Sequence, residues 1–230
     1  MYTESADPWQ LQTRWYERRK YAITLALLPY ARYRHAFEPG CSVGVLTEHL
    51  VHRCDHVTAT DVAVAALDAT HRRLVDAGCR DRVTLLRASL DQPWPSEGCD
   101  LVVLSEICYY FESAVLRAVM DREVPRLAQG ATLLAAHWRY PVADYPMTGD
   151  QANDVVRATA GLHHVGGYRD ADVAIEVFDT GTPTSVAARC KGPNGVASSQ
   201  QSMCMRITHS RERTATRTRR LPRHRGGPYR

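Results

Sequence analysis

Hydrophobic positions follow two spacings along the first 180 residues of the chain. In 64–77 and 114–127, apolar residues recur every three to four positions, the period of a helix with one buried face. Runs such as DLVVLS (100–105) are short and continuously apolar, typical of strands buried on both faces. We predict helices over 9–28, 46–54, 64–77, 114–127 and 151–159, and strands over 35–37, 56–60, 83–87, 100–105, 131–138, 163–168 and 173–178.

The alternation of strands and helices predicts the fold class. Parallel neighbouring strands need long crossover connections, and right-handed crossovers cover both faces of the sheet with helices. Only Arg169, Asp170 and a few neighbours separate the last two predicted strands, so these strands form an antiparallel hairpin at one edge. We therefore expect an α/β fold with a doubly wound, mostly parallel sheet of seven strands, one of them reversed.

Charge is distributed unevenly along the 230 residues. Residues 180–230 carry 11 of the 29 lysines and arginines but one of the 25 acids, Glu212, which leaves residues 1–179 with 18 basic and 24 acidic side chains. The same segment lacks apolar periodicity and is rich in Gly, Pro, Ser and Thr. We expect a folded domain over 1–179 and a basic, disordered tail over 180–230. The net negative charge of residues 1–179 disfavours a nucleic-acid substrate for the folded domain. The basic tail either has no role or binds nucleic acid or another acidic partner.

Targeting and metal signals are weak in this sequence. The apolar run 22–28 is far shorter than the ~20 residues that a membrane-spanning helix needs, and the first ten residues, MYTESADPWQ, have no apolar segment of a secretory signal. Seven cysteines form no CxxC pair and no histidine has a ligand partner at metal spacing. We expect a cytoplasmic protein with reduced thiols, no bound metal and no membrane contact.

A glycine-rich segment follows the first predicted strand, at the end of the sheet where open α/β folds bind ligands. In EPGCSVG (38–44), Gly40 and Gly44 permit a tight turn and close approach of a ligand to the backbone. The segment lacks both the GxGxxG fingerprint and the Gly-Lys-Ser/Thr of a phosphate loop. Glu38 before the glycines favours a cationic or polyhydroxylated ligand instead.

Polar residues also follow the next strands. Asp61 ends the second strand, 17 residues after Gly44, where a carboxylate can accept two hydrogen bonds from a ribose diol. Ser89 follows the third strand, where it can flank an adenine, and Glu106 follows the fourth, beside the expected reacting centre. Each feature alone is common, but their order along the chain is much more specific.

With these motifs the sequence resembles the class I S-adenosylmethionine-dependent methyltransferases, and among them the nodulation protein S type. The resemblance covers residues 7–178 and rests on the segments DPW, WYERRKYA, FEPGCSVGVLT, ATDV, DLVVLSEICYYF and HWRYPVADYPMTGD. It implies a Rossmann-like methyltransferase fold, S-adenosylmethionine as the cofactor, and methylation of an amino group on a chitin-like oligosaccharide. The basic tail departs from the pattern of the family, which usually ends soon after the last strand.

The resemblance also implies roles for ten residues of this chain. Glu38, Gly40 and Gly44 would shape the pocket for the methionine side of the cofactor, and Asp61 would hold the ribose hydroxyls. Ser89 and Leu90 would border the adenine, and Ser105 would lie near the sulfonium. Trp15, Tyr16 and Arg19 lie on the amino-terminal helix, which would cover the cofactor. Aromatic rings on that helix can stack on the cofactor and an arginine can hold its carboxylate. Plain packing is the alternative for the two aromatic residues.

A sulfonium is already activated, so the enzyme mainly aligns the acceptor with the methyl group and excludes water. An amine acceptor must be neutral when it attacks, which makes a proton acceptor useful. Glu106 and Tyr109 after the fourth strand and His137 at the end of the fifth are the candidates; for His137 the alternative is a structural histidine held by hydrogen bonds. Three aromatic residues line an acceptor pocket or belong to the core: Tyr110, Trp138 and Tyr145.

We therefore expect an enzyme that transfers a methyl group from S-adenosylmethionine to a small-molecule acceptor, with an amine on an amino sugar or oligosaccharide favoured. Methylation of a small-molecule hydroxyl is one alternative, because a fold does not fix its substrate. A non-catalytic binding module whose basic tail contacts an acidic partner is another. Retention of Glu38, Gly40, Gly44 and Asp61 favours the enzyme.

Overall fold

A computed structural model describes residues 7, 10–95, 97–182 and 185–189 of the chain. The helices are α1 (Trp15–Leu27), α2 (Val45–Val51), α3 (Val64–Asp76), α4 (Ser113–Glu123), α5 (Gly149–Arg157) and α6 (Val186–Arg189). The strands are β1 (Tyr33–Pro39), β2 (Cys54–Asp61), β3 (Val83–Arg87), β4 (Leu101–Ser105), β5 (Thr132–Trp138), β6 (His163–Arg169) and β7 (Val173–Asp179). Short 3-10 turns lie at Arg80–Arg82, Cys108–Tyr110 and Val124–Arg126.

The seven strands form one sheet in the order β3-β2-β1-β4-β5-β7-β6. Strands β1 to β5 pair in parallel, whereas β7 runs antiparallel to both β5 and β6. This confirms the α/β prediction, including the one reversed strand and the hairpin at the edge. The strand order reverses between β1 and β4, and at such a point the connections leave a crevice beyond the carboxyl ends of the strands.

Helices cover the two faces of the sheet and bury one apolar cluster on each side. Along β4, Leu101 and Val103 point into the cluster beneath α1, α2 and α3, while Val102 and Leu104 point into the cluster beneath α4 and α5. Successive side chains of a strand lie on opposite faces, so a continuously apolar strand such as β4 is buried on both.

Helix α1 begins at Trp15, six residues later than the sequence pattern predicts. Gln10 has a left-handed backbone with φ of 56°, which interrupts any helix that passes through it. Its carbonyl oxygen accepts hydrogen bonds from the N–H groups of Thr13 and Arg14, so this segment forms a separate turn before α1.

Two other helices end three or four residues earlier than predicted. Helix α2 ends at Val51 because β2 already begins at Cys54. Helix α4 ends at Glu123 and continues only as a 3-10 turn that contains Pro125. Proline has no N–H to donate and its ring clashes with the preceding turn, so the predicted helix over 114–127 cannot persist to its end.

The chain divides into two units between residues 183 and 184. Thr180 still belongs with the sheet, because its N–H donates to the carbonyl of Ala131 at 3.0 Å and its hydroxyl donates to Ala128. Of the second unit the structure describes only 185–189, which contain α6. Most of the predicted tail lies outside the described residues, and its disorder stays a prediction. In the described part of the chain, no helix has the length and apolar character to cross a bilayer.

Candidate functional site

A cavity of about 730 Å³ opens at the carboxyl ends of β1 to β4. Its wall combines the glycine loop after β1, the segments that follow β2, β3 and β4, the 3-10 turn at Cys108–Tyr110, and one side of α1. This volume is within the range of sites that enclose a small-molecule ligand. The cavity therefore lies where the reversal of strand order predicts a binding site.

Most residues that the sequence singles out meet in this cavity. Nine of them line its wall: Tyr16, Glu38, Gly40, Asp61, Ser89, Leu90, Ser105, Glu106 and Tyr109. Four of them do not: Trp15, Arg19, Gly44 and His137.

The two glycines of the loop serve different contacts. Both have a left-handed backbone, with φ of 73° at Gly40 and 75° at Gly44. A Cβ on Gly40 would lie 2.8 Å from Cδ1 of Ile107 in the cavity wall, whereas a Cβ on Gly44 would lie 2.6 Å from Cγ2 of Thr70 in α3. Gly44 thus allows α3 to pack against the loop, which explains why it does not line the cavity.

Asp61 holds the glycine loop in shape. Its Oδ2 accepts the Ser42 N–H at 3.0 Å and its Oδ1 accepts the Ala63 N–H at 2.9 Å. The neighbouring Thr60 carbonyl accepts the Gly40 N–H at 2.7 Å. A carboxylate oxygen has two lone pairs, so each oxygen of Asp61 retains acceptor capacity for a ligand hydroxyl.

Glu38 is buried in the cavity wall with an unsatisfied oxygen. The residue is 3% exposed, and its Oε2 has no hydrogen-bond partner in the described structure. Burial, assisted by the nearby charge of Asp61, raises the pKa of Glu38 to about 8. A buried polar atom without a partner is costly, so this oxygen marks a position where a ligand donor is favoured.

Glu106 connects three elements at the end of β4. Its Oε1 accepts from Nζ of Lys20 at 2.8 Å, and its Oε2 accepts from the Tyr109 hydroxyl at 2.8 Å and the Trp138 N–H at 2.9 Å. Its backbone is left-handed, with φ of 54°. Burial alone would raise the pKa of Glu106, but the charge of Lys20 and the hydrogen bonds from Lys20 and the Trp138 N–H together outweigh burial and hold the pKa below its ordinary value. Glu106 is therefore an ionised carboxylate that already has three donors.

Lys20 is enclosed between two carboxylates although it lies on a helix. It is 2% exposed, and its Nζ lies 2.8 Å from both Glu17 and Glu106. The same nitrogen lies 5.3 Å from the ring centroid of Tyr16 and 5.4 Å from that of Tyr21. Burial disfavours the charged form, but the two carboxylates outweigh it and raise the pKa of Lys20. The lysine therefore stays charged and joins α1 to the end of β4.

His137 lies behind the cavity wall. It is fully buried, its Nε2 accepts the Cys108 N–H at 3.2 Å, and its Nδ1 lies 2.7 Å from Oδ1 of Asn153. With Nε2 accepting, the pattern places the proton on Nδ1. Burial lowers the pKa of His137, so the ring is neutral at pH 7. Both nitrogens are occupied, and this geometry favours the structural alternative over a proton-accepting role.

Arg19 and Trp15 point away from the cavity. Arg19 donates to Oδ2 of Asp170 at 2.8 Å and also to the Tyr168 hydroxyl, so it ties α1 to the β6–β7 turn. Trp15 is 72% exposed. The rotation of α1 places four other residues in the wall: Tyr16, Glu17, Lys20 and Tyr21.

For three aromatic residues the sequence allowed either a pocket or a core role, and all three line the cavity: Tyr110, Trp138 and Tyr145. Tyr109 and Tyr145 stack with centroids 4.9 Å apart, and the hydroxyls of Tyr110 and Tyr145 lie 3.0 Å apart. Tyr16 meets Trp138 edge to face at 5.0 Å, and its buried hydroxyl has no hydrogen-bond partner among the described residues. This side of the cavity offers aromatic faces together with hydroxyl groups.

The charged residues of the wall are predominantly acidic. The wall contains five carboxylates and two cations: Glu17, Glu38, Asp61, Glu106 and Asp172, with Arg14 and Lys20. Sequence reasoning missed four of these: Arg14, Glu17, Lys20 and Asp172. The Glu-Lys spacing in WYERRKY was a visible signal for one pair, since residues three apart are neighbours on a helix. In the described part of the chain, no three histidine, cysteine or acidic side chains converge as metal ligands.

Known sequences match much of this chain. The family model for nodulation protein S (NodS) matches residues 3–144. Nodulation protein S from Rhizobium tropici is 32% identical over 130 residues, which are 56% of this chain and 53% of that protein. The protein of the same name from Bradyrhizobium diazoefficiens is 30% identical over 130 residues, 56% of this chain and 61% of that protein. The chain thus spans little more than half the length of these relatives.

Solved structures share the fold. A Pseudomonas syringae protein described as a candidate methyltransferase is 33% identical, with a TM-score of 0.62 over 72% of this chain and 99% of that one. The N-methyltransferase NodS from Bradyrhizobium japonicum WM9, solved with S-adenosyl-L-homocysteine, is 24% identical, with a TM-score of 0.66 over 75% of this chain and 91% of that one. Because the family model matches more than half of the chain, this protein belongs to the nodulation protein S family.

Proposed function

We propose that this protein transfers a methyl group from S-adenosylmethionine to an amino group of a small molecule, with an amino sugar or oligosaccharide as the favoured acceptor class. Membership of the nodulation protein S family supports the proposal, and the Bradyrhizobium japonicum relative of similar fold is an N-methyltransferase. The observation that carries it is the cavity at the reversal of strand order, which brings Glu38, Gly40 and Asp61 to one wall.

The residues of that wall fit an S-adenosylmethionine molecule. Asp61 has acceptor capacity for ribose hydroxyls, and the unpartnered oxygen of Glu38 suits the ammonium of the amino-acid end. At Gly40 the backbone reaches the cavity wall without a Cβ, which would collide with Ile107 there, so a ligand can approach the loop closely. When bound, the cofactor supplies a methyl group that its sulfonium already activates.

The acidic wall favours an amine over a hydroxyl acceptor. A hydroxyl becomes a strong nucleophile only as it loses its proton, and its developing negative charge would face the carboxylates of the cavity. An amine instead gains positive charge as it is methylated, and Glu106, held ionised by Lys20, stabilises such charge. We therefore assign Glu106 an electrostatic role, because its three hydrogen-bond donors leave it poorly suited to accept a proton.

The aromatic side of the cavity suits a sugar ring. Tyr109, Tyr110 and Tyr145 present ring faces that can pack against the apolar face of a sugar, and their hydroxyls can bond its polar rim. This arrangement supports an amino sugar more than an aliphatic amine, because an aliphatic amine has no ring face to pack on the tyrosine rings.

The test is a transfer assay with defined acceptors. The protein is incubated with S-adenosylmethionine and partly deacetylated chitin oligosaccharides, and mass spectrometry follows both S-adenosylhomocysteine and the methylated sugar. We expect one methyl group on the free amine, with an equal amount of S-adenosylhomocysteine. Fully acetylated oligosaccharide is the matched control, since its nitrogen is blocked. Methylation of that control would establish a hydroxyl acceptor, and no transfer to any amine or hydroxyl tested would favour the binding module.

A further inference from the structure

We propose that Asp172 and the hydroxyl of Tyr16 bind the amino group of the acceptor, each accepting a hydrogen bond from one of its N–H groups. The inference rests on the amine methylation proposed above and deepens it, because it assigns the side chains that recognise the acceptor nitrogen. The sequence pattern does not single out Asp172, and it singles out Tyr16 only as part of a cover over the cofactor.

Asp172 lies on the side of the cavity away from the glycine loop. It directly precedes β7, and because β7 runs antiparallel to β5, the first residues of β7 lie at the carboxyl ends of the parallel strands. Trp138 is opposite the first residue of β7 in this ladder, and its N–H donates to Glu106 at 2.9 Å. Asp172 therefore adjoins the Glu106 end of the cavity, whereas Glu38 and Asp61 lie across β4 at the ends of β1 and β2.

The carboxylate of Asp172 is open to a ligand. The side chain lines the cavity and the residue is half-buried, and neither carboxylate oxygen has a hydrogen-bond donor or a cation beside it among the described residues. The other acidic side chains on this side, Glu17 and Glu106, already hold Lys20. A ligand donor that enters here meets Asp172 as the carboxylate with free acceptor capacity.

The hydroxyl of Tyr16 is a second acceptor without a partner. Its oxygen is buried and bonds to no described residue, although the ring lines the same cavity and meets Trp138 edge to face at 5.0 Å. Burial raises the pKa of Tyr16, and the charges of nearby carboxylates, Glu106 and Asp172 among them, raise it further. The group is thus a neutral phenol close to both carboxylates, and its unpartnered oxygen marks a position where a ligand donor is favoured.

An ion pair holds the two acceptors in one arrangement. Arg19, three residues after Tyr16 on α1, donates to Oδ2 of Asp170 at 2.8 Å. Oδ1 of Asp170 accepts the N–H groups of Asp172 and Val173 at 2.9 Å each. The helix that carries Tyr16 and the turn that carries Asp172 are thereby joined through one carboxylate, so their spacing is set before a ligand binds.

An amino group matches this pair of acceptors. A neutral amine has two N–H donors and one lone pair, so Asp172 and Tyr16 can accept both N–H groups and leave the lone pair for the methyl group. An acceptor that enters as an ammonium first loses its third proton to solvent. The nitrogen lone pair then forms the bond to the methyl carbon while the carbon–sulfur bond breaks and leaves its electrons on sulfur. An acetylated nitrogen has one N–H and no basic lone pair, so it does not match the pair.

The experiment measures acceptor binding separately from transfer. Calorimetric titration in the presence of S-adenosylhomocysteine compares fully deacetylated chitin oligosaccharide with its fully acetylated counterpart. We expect the unaltered protein to bind the deacetylated ligand more tightly. Asp172→Asn should weaken that ligand by about tenfold and Tyr16→Phe by about fivefold, while the affinities for the acetylated ligand and for S-adenosylhomocysteine stay unchanged.

Matched controls come from the same region of the chain. Asp144→Asn removes the charge of an exposed carboxylate that does not line the cavity, although its neighbour Tyr145 does. Tyr140→Phe removes the hydroxyl of a ring that packs on Trp138 but does not line the cavity either. Both variants should bind the two oligosaccharides as the unaltered protein does.

Three outcomes overturn the proposal. Unchanged binding of the deacetylated ligand by Asp172→Asn or by Tyr16→Phe removes the substituted residue from the acceptor site. An equal loss for both oligosaccharides, or a loss of affinity for S-adenosylhomocysteine, shows an effect on the shape of the cavity rather than on the amino group. If the unaltered, folded protein binds no deacetylated oligosaccharide, the proposed acceptor class itself fails, and this result differs from the first two because it precedes any substitution. Thermal melting of each variant checks that the protein is folded.

Discussion

At the scale of single residues, Glu38 couples ligand binding to pH. Burial raises its pKa to about 8, so the carboxyl is mostly protonated at pH 7 before a ligand binds. A ligand ammonium pairs with the ionised form, and binding therefore releases a proton and tightens as pH rises toward 8. We expect the affinity for S-adenosylhomocysteine to increase about fivefold between pH 7 and pH 8. Calorimetry at both pH values measures it; Glu38→Gln should remove the change, and an equally steep change in that variant would rule Glu38 out.

Asp61 gives a second prediction at this scale. Asp61→Ala removes an acceptor for the ribose and also the bonds to the Ser42 and Ala63 N–H groups that shape the loop. We expect S-adenosylhomocysteine to bind about 1–3 kcal/mol more weakly, measured by calorimetry. Asp68→Ala, an exposed substitution in α3, should bind normally. Normal binding by Asp61→Ala would exclude Asp61 from the ligand site.

Residues at strand ends could be predicted from the sequence, whereas residues on α1 could not. Glu38, Asp61 and Glu106 follow strands whose carboxyl ends must meet at one edge of the sheet. The rotation of α1 about its axis decides which of its side chains line the cavity, and charged residues occur on all sides of this helix. The sequence therefore favoured Arg19, which the structure pairs with Asp170 outside the cavity.

At the scale of elements, two anchors hold α1 across the cavity. Lys20 joins it to Glu106 after β4, and Arg19 joins it to Asp170 in the β6–β7 turn. The first anchor is buried and the second is partly exposed, so the first contributes more to the packing of α1.

The buried anchor gives a prediction about stability. Lys20→Met leaves the carboxylates of Glu17 and Glu106 without their cation, and we expect the free energy of unfolding in urea to fall by about 3–5 kcal/mol. Lys20→Met combined with Glu106→Gln should be less destabilised than the sum of the single variants, because one buried charge is gone. Arg18→Met is the exposed control. A loss no larger than that control would show that the ion pairs do not support α1.

Element boundaries were the least predictable part of the fold. The left-handed backbone of Gln10 delays the start of α1, and the sequence pattern around a glutamine gives no sign of it. The end of α4 was visible in Pro125, but the apolar residues beyond it favoured a longer helix. Most strands were predicted closely because they are short apolar runs between polar turns, whereas β1 extends two residues beyond its predicted bounds at each end.

At the scale of the whole molecule, the unit that contains the cavity should not need residues 184–230. Thr180 and Gly181 still make hydrogen bonds with the sheet region, so the truncation belongs after residue 183 rather than after 179. We expect the truncated protein to keep both its melting temperature and its affinity for S-adenosylhomocysteine. A fall in either would place part of the basic segment in the folded unit and correct the predicted domain boundary.

The order of strands and helices along the chain was sufficient to predict the fold of the molecule. The nature of the acceptor was less accessible, because it depends on how α1 and the 3-10 turn at Cys108–Tyr110 pack their aromatic and acidic side chains around one cavity. Tyr16, Glu17 and Lys20 acquire their roles only through that packing.

Binding of the cofactor is the central claim, and calorimetric titration of S-adenosylhomocysteine into the purified protein tests it most directly. NAD and ATP serve as controls, since both contain the same nucleoside but carry phosphates that an acidic cavity disfavours. We predict micromolar binding of S-adenosylhomocysteine and no measurable binding of the two phosphate-containing ligands. Absence of S-adenosylhomocysteine binding by a folded protein, or equal binding of all three ligands, would contradict the account.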